Sequence, residues 1–303
     1  MSPRSGLRFW APAAYLIASG AMIFTVGLPT SHDLVFLWFA LGMAAFSVTD
    51  LRDRVPRLVV EWAPFIGVLF VYDRLRGVAD GLVFPARELP QIHVESALFG
   101  NPIPTVWLQS HLWHGAAHLH WWDYASWLVY VSHFFATLVV AAVLWTWAHD
   151  RFARFATMVC VLALTGFATY VLYPAVPPWL AARHGDVGSS NRLIAIIWHH
   201  VPIAHYGSLF EKGQNYANNV AAMPSLHAAY ALLVALYLWR VVPRPARVVL
   251  ALYPPAMAFA LVYSGEHYVV DCLAGWAYAF ATFGLVNLWF ERRSLVLEPA
   301  LAD

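Results

Sequence analysis

Charged residues are scarce in this chain of 303 residues: 12% are charged, whereas 61% are hydrophobic. Soluble domains carry about twice that share of charge, and one soluble core of this length cannot bury so much apolar surface. The shortage of charge therefore excludes an ordinary soluble domain and favours a membrane protein. Fifteen Trp and fourteen Tyr agree with this, since both residues favour the membrane interface.

Other absences narrow the class of protein. The two cysteines, Cys160 and Cys272, lie far apart within apolar runs, which does not indicate a disulfide framework and favours two small buried side chains. The net charge is only +1, so nothing suggests a nucleic-acid partner. The chain contains no repeat of solenoid period and no low-complexity tract.

Long apolar runs predict an all-α, polytopic transmembrane bundle, since about 20 apolar residues cross a bilayer as a helix. The first run is long enough to favour a retained span over a cleaved signal peptide. We predict eight spans, of which the second is short, over residues 10–28, 33–48, 58–75, 124–147, 152–173, 222–240, 246–264 and 267–290.

The basic residues predict an orientation, because Lys and Arg concentrate in short cytoplasmic segments. A cytoplasmic N-terminus places twelve of the eighteen basic residues inside, and the C-terminus is then inside as well. These twelve are Arg4, Arg8, Arg52, Arg54, Arg57, Arg151, Arg154, Arg240, Arg244, Arg247, Arg292 and Arg293.

Two outer segments, 76–123 and 174–221, are long and rich in Pro, Gly, Trp and His. Loops of this length are uncommon unless they are functional, so we expect short interfacial helices or lids over a site at the outer face. His114 and His118 are four residues apart and could share a metal ion. The favoured interpretation is an interfacial helix with an aromatic belt, and we predict no metal site.

The first segment with chemistry contains Pro224, Ser225 and His227 at the start of the predicted sixth span. Pro224 suits a first helical turn, where a missing N–H group costs nothing. A helix N-terminus offers N–H groups and a favourable field to an anion. Ser225 and His227 are therefore candidate residues of an anion site.

The second segment contains His267 and Asp271, which share one face of a helix. The carboxylate can accept one imidazole proton and leave the other nitrogen as a nucleophile or base. A lone carboxylate in an apolar span costs about 2.5–3.5 kcal/mol, so Asp271 needs a partner. The alternative is a pair of structural histidines, His227 and His267, that extend to the interface. Glu266 either contacts a polyol headgroup or faces water.

These segments, Ala-Ala-Met-Pro-Ser-Leu-His at 221–227 and His-Tyr-x-x-Asp at 267–271, resemble the type 2 phosphatidic acid phosphatase superfamily. The resemblance is closest to its inositolphosphotransferase branch, the inositol phosphorylceramide synthases. It implies a six-helix catalytic core over 58–290, preceded by two transmembrane helices in 1–57 and followed by a cytoplasmic tail over 291–303.

The resemblance also implies a role for each matched residue. His267 attacks phosphorus, and Asp271 orients it. His227 protonates the leaving oxygen and then deprotonates the acceptor, while Ser225 donates to a phosphoryl oxygen. No metal ion and no cofactor takes part.

The chain departs from the family in its positive charges: Leu261 stands where the second motif has Arg, and the family's basic first motif has no clean match. Phosphoryl transfer needs fixed positive charge near the phosphoryl oxygens. We favour the pair Arg74 and Arg76, whose alternative role is a basic girdle that meets lipid phosphates. The other candidates are Lys212, Arg183 and Arg192.

The leading hypothesis is an integral membrane phosphotransferase that acts on a lipid phosphate, with an alcohol or water as acceptor. We expect the site to lie on the extracytoplasmic face of a bacterial plasma membrane. A phosphatase for lipid phosphates or polyprenyl diphosphates is the first alternative, because only the acceptor differs. The second is a non-catalytic transporter or scaffold, which the missing internal repeat disfavours.

Overall fold

The computed structural model describes residues 3–28, 32–48, 51–78, 84–201 and 219–300. Apart from isolated parallel bridges, the regular structure in these ranges is helical. The helices are α1 (Pro3–Thr25), α2 (His32–Phe46), α3 (Leu51–Val78), α4 (Leu89–Phe99), α5 (Pro104–Leu112), α6 (Trp121–Trp147), α7 (His149–Leu172), α8 (Pro178–His184), α9 (Leu193–Trp198), α10 (Leu226–Leu238), α11 (Arg244–Tyr263) and α12 (Val269–Ala300).

Each of the eight predicted spans coincides with a helix, namely α1, α2, α3, α6, α7, α10, α11 and α12. Five of them, α1, α6, α7, α11 and α12, are long and apolar enough to cross a membrane. The helices α2 and α10 are apolar but shorter. The prediction of an all-helical, integral membrane protein is confirmed, whereas eight crossings and cytoplasmic termini stay predictions.

The two long segments between spans contain short helices, as expected: α4 and α5 in the first, α8 and α9 in the second. The predicted helix around His114 and His118 is wrong, because α5 ends at Leu112 and a turn follows. In that turn the His118 N–H group donates to the Gly115 carbonyl at 3.0 Å. The four-residue spacing of the two histidines therefore does not place them on one helix face.

The chain divides into two compact units. One comprises Met1–Gly77 and Ala195–Ala217, and the other comprises Val78–Ile194 and Asn218–Asp303. In the first unit, α1 and α2 pack together through Trp38, whose carbonyl accepts from the Tyr15 hydroxyl at 2.9 Å and whose indole donates to Ser19 at 2.7 Å. The predicted domain boundary at residue 57 stays a prediction.

In the second unit the short helix α10 packs against four others: α6, α7, α11 and α12. Several of its residues are alanines, which allow helices within a membrane to approach closely. The closest approach lies where α12 crosses the start of α10. A Cβ atom on Gly275 would lie 2.2 Å from the carbonyl oxygen of Ser225, so only glycine permits this contact.

Three extended segments lie side by side in the second unit. Ala175 pairs in parallel with Arg87 on one side and with Ala221 on the other. The Val176 N–H group donates to the Arg87 carbonyl at 3.0 Å, and the Ala222 N–H group donates to the Ala175 carbonyl at 3.1 Å. This pairing ties both long segments to the main chain that leads into α10.

Candidate active site

The structure brings His227 and His267 together. Their ring centroids are 5.6 Å apart and their planes are inclined by 59°. His227 is the second residue of α10, and His267 lies in the turn between α11 and α12. At this separation the two imidazole rings can both contact one small group.

His267 is 5% exposed, and its Nδ1 atom lies 2.8 Å from the carbonyl oxygen of Ala222. A carbonyl oxygen only accepts, so Nδ1 carries the proton and Nε2 presents a lone pair. Sequence analysis assigned this proton to Asp271, whose Oδ2 atom lies 3.6 Å from Nδ1. That distance suits an ion pair but is too long for a hydrogen bond. The Ala222 carbonyl accepts this proton instead. His267 precedes α12, which begins only at Val269, so His267 and Asp271 do not share a helix face.

Asp271 is fully buried and connects the two helix starts. Its Oδ2 atom accepts from the Tyr268 N–H group at 2.9 Å. Its main-chain carbonyl accepts from the Ser225 N–H group, also at 2.9 Å. The hydroxyl of Ser225 is the N-cap of α10 and accepts from Ala228 at 3.4 Å. Ser225 therefore lies at the positive end of the α10 dipole, as predicted from its position in the sequence.

Two rings of α6 pack against His227. The Tyr130 ring stacks on it at 5.1 Å with an interplanar angle of 23°, and the His133 ring lies at 4.1 Å. Both are one helical turn apart and share a face of α6. Sequence analysis missed them. An ionisable residue within a predicted span is a functional candidate by default, so His133 could have been found from that signal.

A guanidinium group, that of Arg192, is held beside His267. Arg192 donates from Nε to Glu266 Oε1 at 2.8 Å and from Nη2 to Oε2 at 3.2 Å. Glu266 immediately precedes His267, and its side chain is 10% exposed, so it neither faces water nor stands alone. Arg192 also lies over the Trp179 ring, 5.1 Å from its centroid.

Burial lowers the pKa of the Arg192 guanidinium, but the Glu266 carboxylate raises it by more, so the pKa is raised overall. Gln109 of α5 holds Asn191, the residue before Arg192. The Gln109 amide donates to the Asn191 carbonyl at 2.9 Å and accepts from the Asn191 N–H group at 2.8 Å. The same amide donates to the Tyr263 carbonyl at 2.9 Å. Arg192 is thus a permanent cation on a fixed stretch of main chain.

The other predicted cations are placed differently. Arg183 is exposed and lies over the same Trp179 ring as Arg192, 4.8 Å from its centroid. The side chains of Arg74 and Arg76, and the whole of Lys212, lie outside the described residues. The preference for Arg74 and Arg76 therefore stays a prediction.

One group of side chains in the described ranges has the spacing of metal ligands. The ligand atoms of Glu88, His184 and Asp186 lie within 4.8 Å of one another. Glu88 and His184 already share a contact of 2.8 Å, and the group includes none of the residues around His267.

A family model described as the PAP2 superfamily matches residues 92–285, which include both histidines, Asp271 and Arg192. The chain is 28% identical over 299 residues to the phosphoinositol dihydroceramide synthase of Bacteroides thetaiotaomicron, covering 91% of this chain and 90% of that protein. It is 25% identical over 296 residues to the inositol phosphorylceramide synthase catalytic subunit aur1 of Schizosaccharomyces pombe, covering 90% of this chain and 64% of that protein. No solved structure matches the chain.

Proposed function

Because the chain belongs to the PAP2 superfamily and is a membrane enzyme of the lipid phosphotransferase and phosphatase class, we propose that it transfers a phosphoinositol group from a lipid donor to the hydroxyl group of a ceramide-type lipid. The observation that carries this proposal is the approach of His227 to His267, with the proton of His267 held on Nδ1. A nucleophilic nitrogen and a proton donor then face each other across one phosphoryl group.

In the first step, Nε2 of His267 attacks phosphorus, and the bond from phosphorus to the donor lipid oxygen breaks. Protonated His227 gives its proton to that oxygen. The product is a phosphoramidate in which phosphorus is bonded to Nε2 and to the inositol oxygen, and the proton stays on Nδ1, which donates a hydrogen bond to the Ala222 carbonyl. The carboxylate of Asp271, 3.6 Å from Nδ1, stabilises the positive charge that the ring acquires.

In the second step, the acceptor hydroxyl group attacks phosphorus. Neutral His227 takes the hydroxyl proton, and the bond from phosphorus to Nε2 breaks. His227 is thereby protonated again and His267 is free. General acid–base assistance of this kind contributes typically about 10²–10⁴ in rate. With water as the acceptor the same steps describe a phosphatase, so the acceptor alone separates the two functions.

We further propose that Arg192 supplies the positive charge near the phosphoryl oxygens, since this chain lacks the basic residues of the family's motifs. It is held next to His267 through its two hydrogen bonds to Glu266. A guanidinium group suits phosphate because it donates several hydrogen bonds in a fixed plane. The pairing with Glu266 keeps this charge in place before the substrate arrives.

The proposed setting is a bacterial plasma membrane with the site on the extracytoplasmic face, eight spans and both termini cytoplasmic. The distribution of basic residues supports this orientation. Single-cysteine labelling of intact cells tests it: a cysteine placed at His184 should react with a membrane-impermeant thiol reagent, and one placed at Arg240 should not. The reverse pattern would overturn the orientation.

The function is tested with purified protein in lipid nanodiscs, a donor labelled in its phosphoryl group and a ceramide acceptor. His267→Ala and His227→Ala should each abolish transfer, and His93→Ala, an exposed histidine of α4, should not. Rapid alkaline quenching should trap labelled protein only when His267 is present. Full turnover by His267→Ala would overturn the assignment, and release of water-soluble label without labelled ceramide would establish the phosphatase instead.

A further inference from the structure

Glu95 is a fully buried carboxylate in α4, far in sequence from both motif segments. Acidic side chains are almost never fully buried unless they are paired. The partners of Glu95 are main-chain groups of α12. Its Oε1 atom accepts from the Val269 N–H group at 2.9 Å, and its Oε2 atom accepts from the Val270 N–H group at 3.2 Å.

Val269 and Val270 form the first turn of α12, whose N–H groups have no partner within the helix. The preceding N–H group, that of Tyr268, donates to Asp271. Three successive N–H groups therefore bind carboxylates from two separate helices. Because a helix N-terminus favours negative charge, both carboxylates stabilise this start of α12. The hydrogen bonds of Glu95 thus attach the turn that carries His267 to α4.

We propose that Glu95 is a positioning residue for the reaction: by fixing the first turn of α12, it keeps the ring of His267 aligned with that of His227. This inference rests on the proposed function, and it extends the machinery of the site to α4. Glu95 acts through Val269 and Val270 and not on the reacting atoms. Its loss allows the turn to rotate, and the nucleophile then leaves the in-line position.

The electrostatics of Glu95 agree with this role. Burial raises the pKa of its carboxyl group, the two N–H groups of α12 lower it, and the negative charge of Asp271 raises it. Such a group is destabilised in an apolar setting unless its hydrogen bonds are kept. The helix start and the carboxylate therefore depend on each other, which makes the turn stiff.

The test compares Glu95→Gln with Gln91→Met. Glutamine at 95 keeps the volume and one acceptor oxygen but removes the charge. Gln91 lies four residues earlier on α4, is 2% exposed, and has no hydrogen-bond partner for its amide among the described residues. Hydrogen bonds to charged groups are strong enough that Glu95→Gln should lower kcat about 10- to 100-fold, with KM within about twofold. Gln91→Met should keep the kcat of the unaltered protein.

Two further measurements separate positioning from general damage. Hydrogen exchange at Val269 and Val270 should accelerate in Glu95→Gln and not in Gln91→Met. Glu95→Asp, which keeps the charge on a shorter side chain, should recover part of kcat, and it replaces Glu95→Gln if that variant unfolds. Unchanged kcat in Glu95→Gln, or an equal loss in Gln91→Met, would overturn the inference. An inactive His267→Ala beside a fully active Glu95→Gln would leave the proposed function standing.

Discussion

Replacement of Gly275 by alanine should impair turnover although Gly275 has no side chain that could take part in the reaction. Gly275 lies where α12 crosses the N-cap of α10, and these two helix starts carry His267 and His227. A Cβ atom at 275 would lie 2.2 Å from the Ser225 carbonyl oxygen and 3.1 Å from its carbonyl carbon. Both obstacles are main-chain atoms, so no side-chain rotation relieves the contact.

The size of the effect follows from the distance. Ordinary contacts of a Cβ atom begin at 3.4 Å, so the two helix starts must separate by about 1 Å. A misplacement of about 1 Å between reacting groups can cost about 10²-fold in rate. Forcing an additional methyl group into a packed interior costs typically about 1–3 kcal/mol. We therefore expect Gly275→Ala to remain folded and to lose about two orders of magnitude in kcat.

The assay is headgroup transfer in nanodiscs, with thermal unfolding measured in parallel. Gly284→Ala is the matched control, because it lies on the same helix and a Cβ atom there meets nothing within 4 Å. It should keep full activity. A Gly275→Ala variant with the kcat of the unaltered protein would refute the claim that the distance between these helix starts governs the reaction.

Four further outcomes are expected. Arg192→Met should lower kcat/KM for the donor about 10- to 100-fold, whereas Arg183→Met, which removes the other cation on the same indole, should change it less than about twofold; equal losses would contradict the proposed clamp. Asp271→Asn should retain a kcat above that of the inactive His267 variant and far below that of the unaltered protein, and full activity would count against its role. Gln109→Leu should lower the free energy of unfolding by about 1–3 kcal/mol, because the main chain at Asn191 loses its partners. EDTA should leave transfer unchanged, and activity lost on chelation and restored by Mg²⁺ would contradict a metal-independent reaction.

The helices and the motif residues could be predicted from the sequence because their signals are local. Apolar runs of sufficient length mark the spans, and His227, His267 and Asp271 lie in two short segments. The partners that complete the site are remote. Glu95 binds Val269 across 174 residues, and Arg192 binds Glu266 across 74. No local pattern encodes such pairings, since tertiary packing alone creates them.

The choice among the candidate cations depends on remote contacts in the same way. Sequence reasoning named Arg192 as one candidate among several and could not separate it from Arg183. Both guanidinium groups lie over Trp179, but only Arg192 reaches the carboxylate beside His267. The sequence paired His267 with Asp271, which lies 3.6 Å from it, but it did not indicate the Ala222 carbonyl, which becomes a neighbour of His267 only when the extended segments pair.

A main-chain atom thus decides which nitrogen of His267 bears the proton. Scanning mutagenesis exchanges side chains, so it leaves this main-chain contact in place. Deletion of Met223 should instead turn the Ala222 carbonyl away from His267 and abolish turnover, although no side chain of the candidate site is altered. This stretch should therefore keep its length among active relatives.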